Sequence, residues 1–395
     1  MKISKKANSV PASVSLEITA KVKQLRSEGK SIIGFTAGEP DFNTPDYIID
    51  SAKEALDKGV TKYTPVSGIL ELKKAICNKF ERDNGLFYEP SQIVVSSGAK
   101  SSLYHAIVSI VDEGDEVVIP APFWFTYEEQ VKLAGGVPVI YNTKKENGYK
   151  ITPQELESVI TDKTVAFIIN SPSNPTGAVY TKDELVNLSK VLEKHGIVTI
   201  SDEIYEKLVY GGEKHVSIAS VSSFMKENTI VINGVSKSYA MTGWRIGYLG
   251  APKIIADAIN RIQGHTTSNA CSIAQYASIT ALNGDESVVN SMRESFNERR
   301  IYMQSRADRL GLSYVKPNGA FYMFLDISPI IGKSYEGKVI NGSVDFSSLL
   351  TDSGVAVIPG LPFHADNFVR LSYAVSIKDI EEGFNRIEKF LSKLK

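Results

Sequence analysis

The sequence predicts an α/β fold: a large domain on a mostly parallel sheet, residues 45–284, and a smaller α+β domain from residues 1–44 and 285–395. Three observations carry this. From about residue 45 to 280, short apolar runs alternate with amphipathic stretches, as strands and helices do around a buried sheet. Beyond 284 the pattern changes to a long charged helix, several strand-like runs and a terminal helix. The chain has 395 residues, enough for one large domain, a smaller one and a sizeable core.

The elements follow in order. Residues 14–28 carry Val14, Ile18, Val22 and Leu25 at helical spacing, with Gly29 as a stop. Gly38 and Pro40 then make an irregular segment that presents its backbone. Ile93-Val-Val precedes an amphipathic stretch, Lys100–Val111. Glu116–Pro120, Val137–Tyr141, Val165–Ile169, Ile197–Ile200 and Thr229–Asn233 are further strands. Thr181–His195 is a helix with Leu185, Leu188, Val191 and Leu192 on one face; Thr181 and Glu184 form a capping box. In the last third, Asp285–Leu310 is a long helix. Leu312–Asp326, Val355–Pro359 and Asn367–Ser372 are strand-like, and Ile377–Leu394 closes the chain as an amphipathic helix.

Composition excludes several classes. The net charge of -1 offers no basic field for nucleic acid. The five histidines have no metal-binding spacing, so no metal is expected. Cys77 and Cys271 are too few for a disulfide framework and fit a reducing compartment. The N-terminus lacks the apolar core of a signal peptide, and no apolar run reaches the roughly 18 residues of a membrane span. A cytoplasmic protein is expected.

Four motifs follow predicted strands. Val165–Ile169 leads to Asn170-Ser-Pro-Ser-Asn174-Pro-Thr-Gly177, and Ile197–Ile200 to Ser201-Asp202-Glu203-Ile204-Tyr205. Thr229–Asn233 leads to Lys237 within Val235-Ser-Lys-Ser-Tyr, and Ile93–Val95 to Ser97-Gly98-Ala99-Lys100. Ligands of parallel sheets bind beyond the carboxyl ends of strands, so one rim of the sheet is the economical inference. An amine, a carboxylate, a phenol, an amide and the guanidinium of Arg245 would gather there. That set suits pyridoxal phosphate: a lysine can hold its aldehyde as a Schiff base while the ring acts as an electron sink.

On these motifs the chain resembles the fold type I pyridoxal-phosphate aminotransferases, and within them the bacterial and archaeal aspartate aminotransferases. The likeness runs from Thr36-Ala-Gly-Glu-Pro-Asp-Phe42 through Thr61-Lys-Tyr63 and the motifs above to Ser236–Gly247 and Val369-Arg-Leu-Ser372. The resemblance implies that Lys237 is the Schiff-base lysine and proton shuttle. Asp202 would pair with the pyridine nitrogen, and Tyr205 and Asn174 would donate to the cofactor's phenolate oxygen. Glu203 is expected to point elsewhere. Trp124 would stack on the ring. Gly98, the amides of Ala99 and Lys100, Ser236 and Arg245 would hold the phosphate. Tyr63 would reach it from the neighbouring subunit, making a homodimer with shared sites.

For substrate, the resemblance assigns the α-carboxylate to Arg370, helped by the backbone of Gly38, whose segment would close with the small domain and exclude water. Lys100 would read the distal carboxylate of a dicarboxylic amino acid, because Gln263–Asn269 holds no arginine for that task. The implied reaction is ping-pong transamination of aspartate with 2-oxoglutarate, giving oxaloacetate and glutamate. A lysine reads a carboxylate less strictly than an arginine fork. Prephenate, aromatic or alanine transamination therefore stays open, as do a lyase on the same scaffold and a cofactor-binding regulator without turnover.

Overall fold

The computed structural model describes residues 1–11 and 14–395. Its centre is a seven-stranded sheet: β1 (Ile93–Ser96), β2 (Glu116–Ala121), β3 (Val137–Asn142), β4 (Thr164–Asn170), β5 (Val198–Asp202), β6 (Thr229–Gly234) and β7 (Gly247–Gly250). The strand order is β1-β7-β6-β5-β4-β2-β3. Only β7 runs against its neighbours. The carboxyl ends of β1, β4, β5 and β6 therefore share one rim, as the motif positions imply.

Burial explains the apolar runs. Every residue of β1, β6 and β7 is buried, as befits strands covered on both faces. Ile230 and Ile232 are wholly inaccessible. Burying each such side chain is worth about 1.5–3 kcal/mol, which fixes the strand end that carries Lys237. Edge strand β3 is only part-buried and contains Pro138, which an edge tolerates.

The helix Lys182–His195 begins as expected. Thr181 Oγ1 accepts from the Glu184 amide, and Glu184 Oε2 accepts from the Thr181 amide at 2.7 Å. The helix after β1 spans Ala99–Ile110, and the N-terminal helix Val14–Ser27. The side chain of Val14, expected on that helix's apolar stripe, lies outside the described residues.

A second, antiparallel sheet holds β8 (Tyr314–Val315), β9 (Tyr322–Asp326), β10 (Ile358–Pro359) and β11 (Phe368–Ser372), in the order β10-β11-β9-β8. Here the sequence reading needs correction. Leu312–Asp326 is not one strand: Asn318 and Gly319 break it to bond the carbonyl of Gly177. Val355–Pro359 also divides, with Val355–Ala356 pairing with Ile33–Gly34 and β10 with β11. The long helix is Ser287–Arg309, and the last helix ends at Leu391. β7 is a strand that the sequence reading passed over.

The core beneath the second sheet includes Phe321, Tyr322, Val369 and Leu371, and extends to Tyr205 and Leu208 from the loop after β5. The rim of the large sheet thus faces β9 and β11 directly. Among the described residues no helix is long and apolar enough to cross a membrane.

Candidate active site

A cavity of about 240 Å3 lies where the rim meets β9 and β11. Gly38, Ala99, Lys100, Trp124, Asn174, Asp202, Tyr205, Ser236, Lys237, Arg245 and Arg370 all line it. Gly98 sits just behind, as the cap of the helix Ala99–Ile110 with φ +87°. Tyr63 does not line it; within one chain its side chain is fully exposed.

Lys237 comes from the loop after β6. Gly234 allows the tight return, since a Cβ there would stand 2.9 Å from the Ile246 carbonyl. Its Nζ donates to the Gly38 carbonyl at 2.5 Å. Burial pulls its pKa down to about 8, helped by Arg370 and Arg245, while Glu39 opposes the shift. A lysine so placed supplies free amine near neutral pH.

Asp202 ends β5 and is buried. Tyr127 Oη donates to its Oδ2 at 2.7 Å, and the Ile204 amide to its Oδ1 at 3.2 Å. Burial still pushes the carboxyl up to about 6. Glu203 faces away, as expected, accepting from Ser201, Ser217 and His215.

Asn174 and Arg370 meet from opposite sides. Arg370 Nη1 donates to Asn174 Oδ1 at 2.9 Å, and Nη2 to the Thr36 carbonyl at 3.3 Å. The Asn174 amide donates to Asn170 Oδ1 at 2.8 Å, and Asn170 Nδ2 holds the Asp202 carbonyl at 2.9 Å. Arg370 Nε is buried and, among the described residues, has no partner.

At the other end, Arg245 Nη1 donates to the Thr242 carbonyl at 2.9 Å. The guanidinium lies against Gly98, where a Cβ would collide with it. Lys100 Nζ stands 4.7 Å from the centre of the Trp124 ring. Its pKa is lowered by burial and then by Arg245.

Three residues escaped the sequence reading. Tyr127 bonds Asp202, Asn170 ties two motifs together, and Tyr322 Oη lies 2.9 Å from Tyr205 Oη. Asn170 opens a motif already singled out, so its place was signalled. Tyr127 and Tyr322 read in sequence as ordinary core aromatics.

Comparison with known proteins shows the family. The sequence profile of the family described as aminotransferase class I and II matches residues 30–387. The chain belongs to the class I and II aminotransferases. It is 48% identical over 394 residues to the aspartate aminotransferase of Bacillus subtilis (strain 168), covering all of both chains. It is 46% identical to the aspartate/prephenate aminotransferase of Cereibacter sphaeroides, over 98% of this chain and 97% of the relative. Among solved structures, the Rhizobium meliloti aspartate aminotransferase superposes with TM-score 0.97 at 40% identity over the full length of both. The Thermus thermophilus aspartate aminotransferase with maleate gives 0.94 at 38%, covering 99% of this chain and 100% of that one. The chain is thus an aminotransferase with the mixed α/β fold of that family.

The family is pyridoxal-phosphate-dependent, and the residues here fit that cofactor. Asp202 is a buried carboxyl with a raised pKa and, among the described residues, no ion-pair partner, which suits a protonated ring nitrogen. A helix start and Arg245 meet at Gly98, which suits a phosphate. Lys237 lies between them as an amine of depressed pKa.

Proposed function

We propose that this aminotransferase uses pyridoxal phosphate held on Lys237 and transfers the amino group of aspartate to 2-oxoglutarate by a ping-pong route. The observation that carries the reading is the charge pattern of one cavity: Lys100, Lys237, Arg245 and Arg370 against the single carboxyl of Asp202. Four cations suit a phosphate at one end and two substrate carboxylates at the other.

When bound, the cofactor supplies an aldehyde that condenses with amino groups and a protonated ring that takes up the electron pair left at Cα. The protein does the rest. Asp202, oriented by Tyr127, holds the proton on the ring nitrogen. Asn174 and Tyr205 would hydrogen-bond the phenolate oxygen, and Trp124 would lie against the ring. Gly98, Ala99, Lys100, Ser236 and Arg245 hold the phosphate, joined by Tyr63 of the partner subunit in a homodimer. Arg370 grips the α-carboxylate through its fork, and Gly38 assists from the backbone. This would fix the torsion about the bond from the nitrogen to Cα. Lys237 Nζ would take the Cα proton and give it back at the cofactor's aldehyde carbon, on the far side of the nitrogen being transferred. Pre-orientation of this kind can be worth several kcal/mol. Residues 1–44 and 285–395 act as a small domain that closes over residues 45–284 and excludes water.

Lys100 reads the distal carboxylate. It is a single ammonium on an exposed residue beside Trp124, and therefore a tolerant reader. With the Cereibacter sphaeroides relative named for prephenate as well as aspartate, that property favours prephenate as a second partner.

The test follows single half-reactions by absorbance. Purified protein should show the band of lysine-bound cofactor, fixed by borohydride and missing in Lys237→Ala. Aspartate and glutamate should convert it faster than alanine or phenylalanine. In Lys100→Ala that preference should fall about tenfold or more, the effect of one charge-assisted contact. Faster conversion by neutral donors would overturn the dicarboxylate reading. A protein without the band would overturn the cofactor reading too.

A further inference from the structure

Tyr322 opens β9, and Arg370 lies on β11, where it pairs with Phe324. Side chains two apart share a face of a sheet, so Tyr322 and Arg370 are diagonal neighbours. The guanidinium carbon of Arg370 lies 4.3 Å from the centre of the Tyr322 ring, closer than the 5.4 Å to Phe363. The hydroxyl of the same tyrosine lies 2.9 Å from that of Tyr205, and the two rings meet edge to face at 5.9 Å. Tyr322 is buried, so neither contact competes with bulk water.

We infer that Tyr322 is a positioning residue, with its ring holding the guanidinium of Arg370 and its hydroxyl donating to Tyr205. This rests on the functional reading above, in which Tyr205 serves the cofactor and Arg370 the substrate. The direction of the hydroxyl pair follows from proton count: the Tyr205 hydroxyl has one hydrogen, and the functional reading gives it to the cofactor oxygen, so across the 2.9 Å pair Tyr205 accepts and Tyr322 donates. A hydroxyl that accepts one bond donates the next more strongly. Tyr322 thus strengthens the donor at the cofactor edge while the same ring carries the carboxylate clamp.

The two halves separate by substitution. Tyr322→Phe keeps the ring and loses the hydroxyl; Tyr322→Leu loses both. Each holoenzyme is titrated by absorbance to find the pH at which the lysine-bound chromophore changes protonation, and its affinity for maleate, an unreactive dicarboxylate, is measured by calorimetry. Weaker donation to the phenolate oxygen leaves that oxygen more basic. In Tyr322→Phe the chromophore should therefore titrate about 0.4–1 unit higher than in the parent, the worth of one hydrogen bond. Its maleate affinity should stay within about twofold of the parent. Tyr322→Leu should bind maleate about 3- to 30-fold more weakly, the range of a buried cation–π contact. A Phe variant that titrates with the parent, or a folded Leu variant that binds maleate like the parent, overturns the inference while the function stands. If the Leu variant fails to fold, the Phe titration decides alone. A parent protein with no chromophore overturns the functional reading itself.

Discussion

Asp202 is held by opposed effects. Burial favours its neutral form, while the Tyr127 hydroxyl and the Ile204 amide favour the charged one, and burial wins, leaving the carboxyl at about 6. A folded value above the ordinary 3.8 means that the folded chain binds this proton more tightly than the unfolded chain. Its stabilising contribution is full below 3.8 and is lost as pH rises through about 6. Asp202→Asn does not titrate. Relative to the parent apoprotein, the variant should therefore gain up to about 3 kcal/mol between pH 4 and pH 7, read from urea midpoints at both values. Pyridoxal phosphate should reverse the order near pH 7, because the parent carboxylate then pairs with the ring nitrogen. A parent–variant difference that ignores pH would mean that Asp202 ionises normally. Asp202, Lys237 and Arg370 were legible through the motifs that carry the family resemblance: Asp202 ends β5, Lys237 follows β6, and Arg370 sits mid-strand in β11. Tyr127 and Tyr322 were not. Their partners lie 75 and 117 positions away, and only the packed sheet rim brings them together.

At the scale of elements, the phosphate end depends on two glycines. Gly98 caps the helix Ala99–Ile110 at φ +87°, and any Cβ there would collide with Arg245. Gly247 opens β7, and a Cβ there would strike the backbone of Ala99. The helix start can approach the sheet only because both positions are bare. Gly85 also has a positive φ, +64°, but lies in the ordinary left-handed region with open space around it. Gly85→Ala should therefore lose about 1 kcal/mol of stability from backbone strain, and Gly98→Ala about 1–3 kcal/mol, because its ψ of 154° lies where essentially only glycine goes. Only Gly98→Ala should weaken pyridoxal phosphate binding, by about tenfold or more, because it displaces the Arg245 guanidinium. Equal cofactor affinities in the two variants would detach Arg245 from the phosphate. The same glycines explain what the sequence concealed. Strands β1 to β6 stand out as apolar runs because the sheet is covered on both faces. β7 has glycine at both ends of its four residues and reads as a turn, yet it is the strand that seats the helix start against the sheet.

For the whole molecule, the site lies on a seam between the large sheet and the β8–β11 sheet, and in the proposed homodimer a second chain completes it. Tyr63 is 93% exposed and lines no part of the cavity, although its motif belongs with the others. In the proposed homodimer it serves the phosphate of the neighbouring subunit, and symmetry makes that exchange mutual. Complementation tests this directly. Lys237→Ala and Tyr63→Ala are each expected to be severely impaired alone. Co-expressed in equal amounts, half the dimers pair one of each. In such a dimer one site combines both defects. The other has Lys237 from one chain and Tyr63 of the partner subunit, and is intact. Activity should rise to about a quarter of the parent's, far above the mean of the two variants. If Tyr63 acts within its own chain, every site in the mixed dimer keeps one defect and mixing restores nothing; if it serves no site at all, Tyr63→Ala keeps its activity when expressed alone. Size-exclusion chromatography of each variant would show that dimers persist, so that a failure to complement reports on the position of Tyr63 and not on loss of assembly.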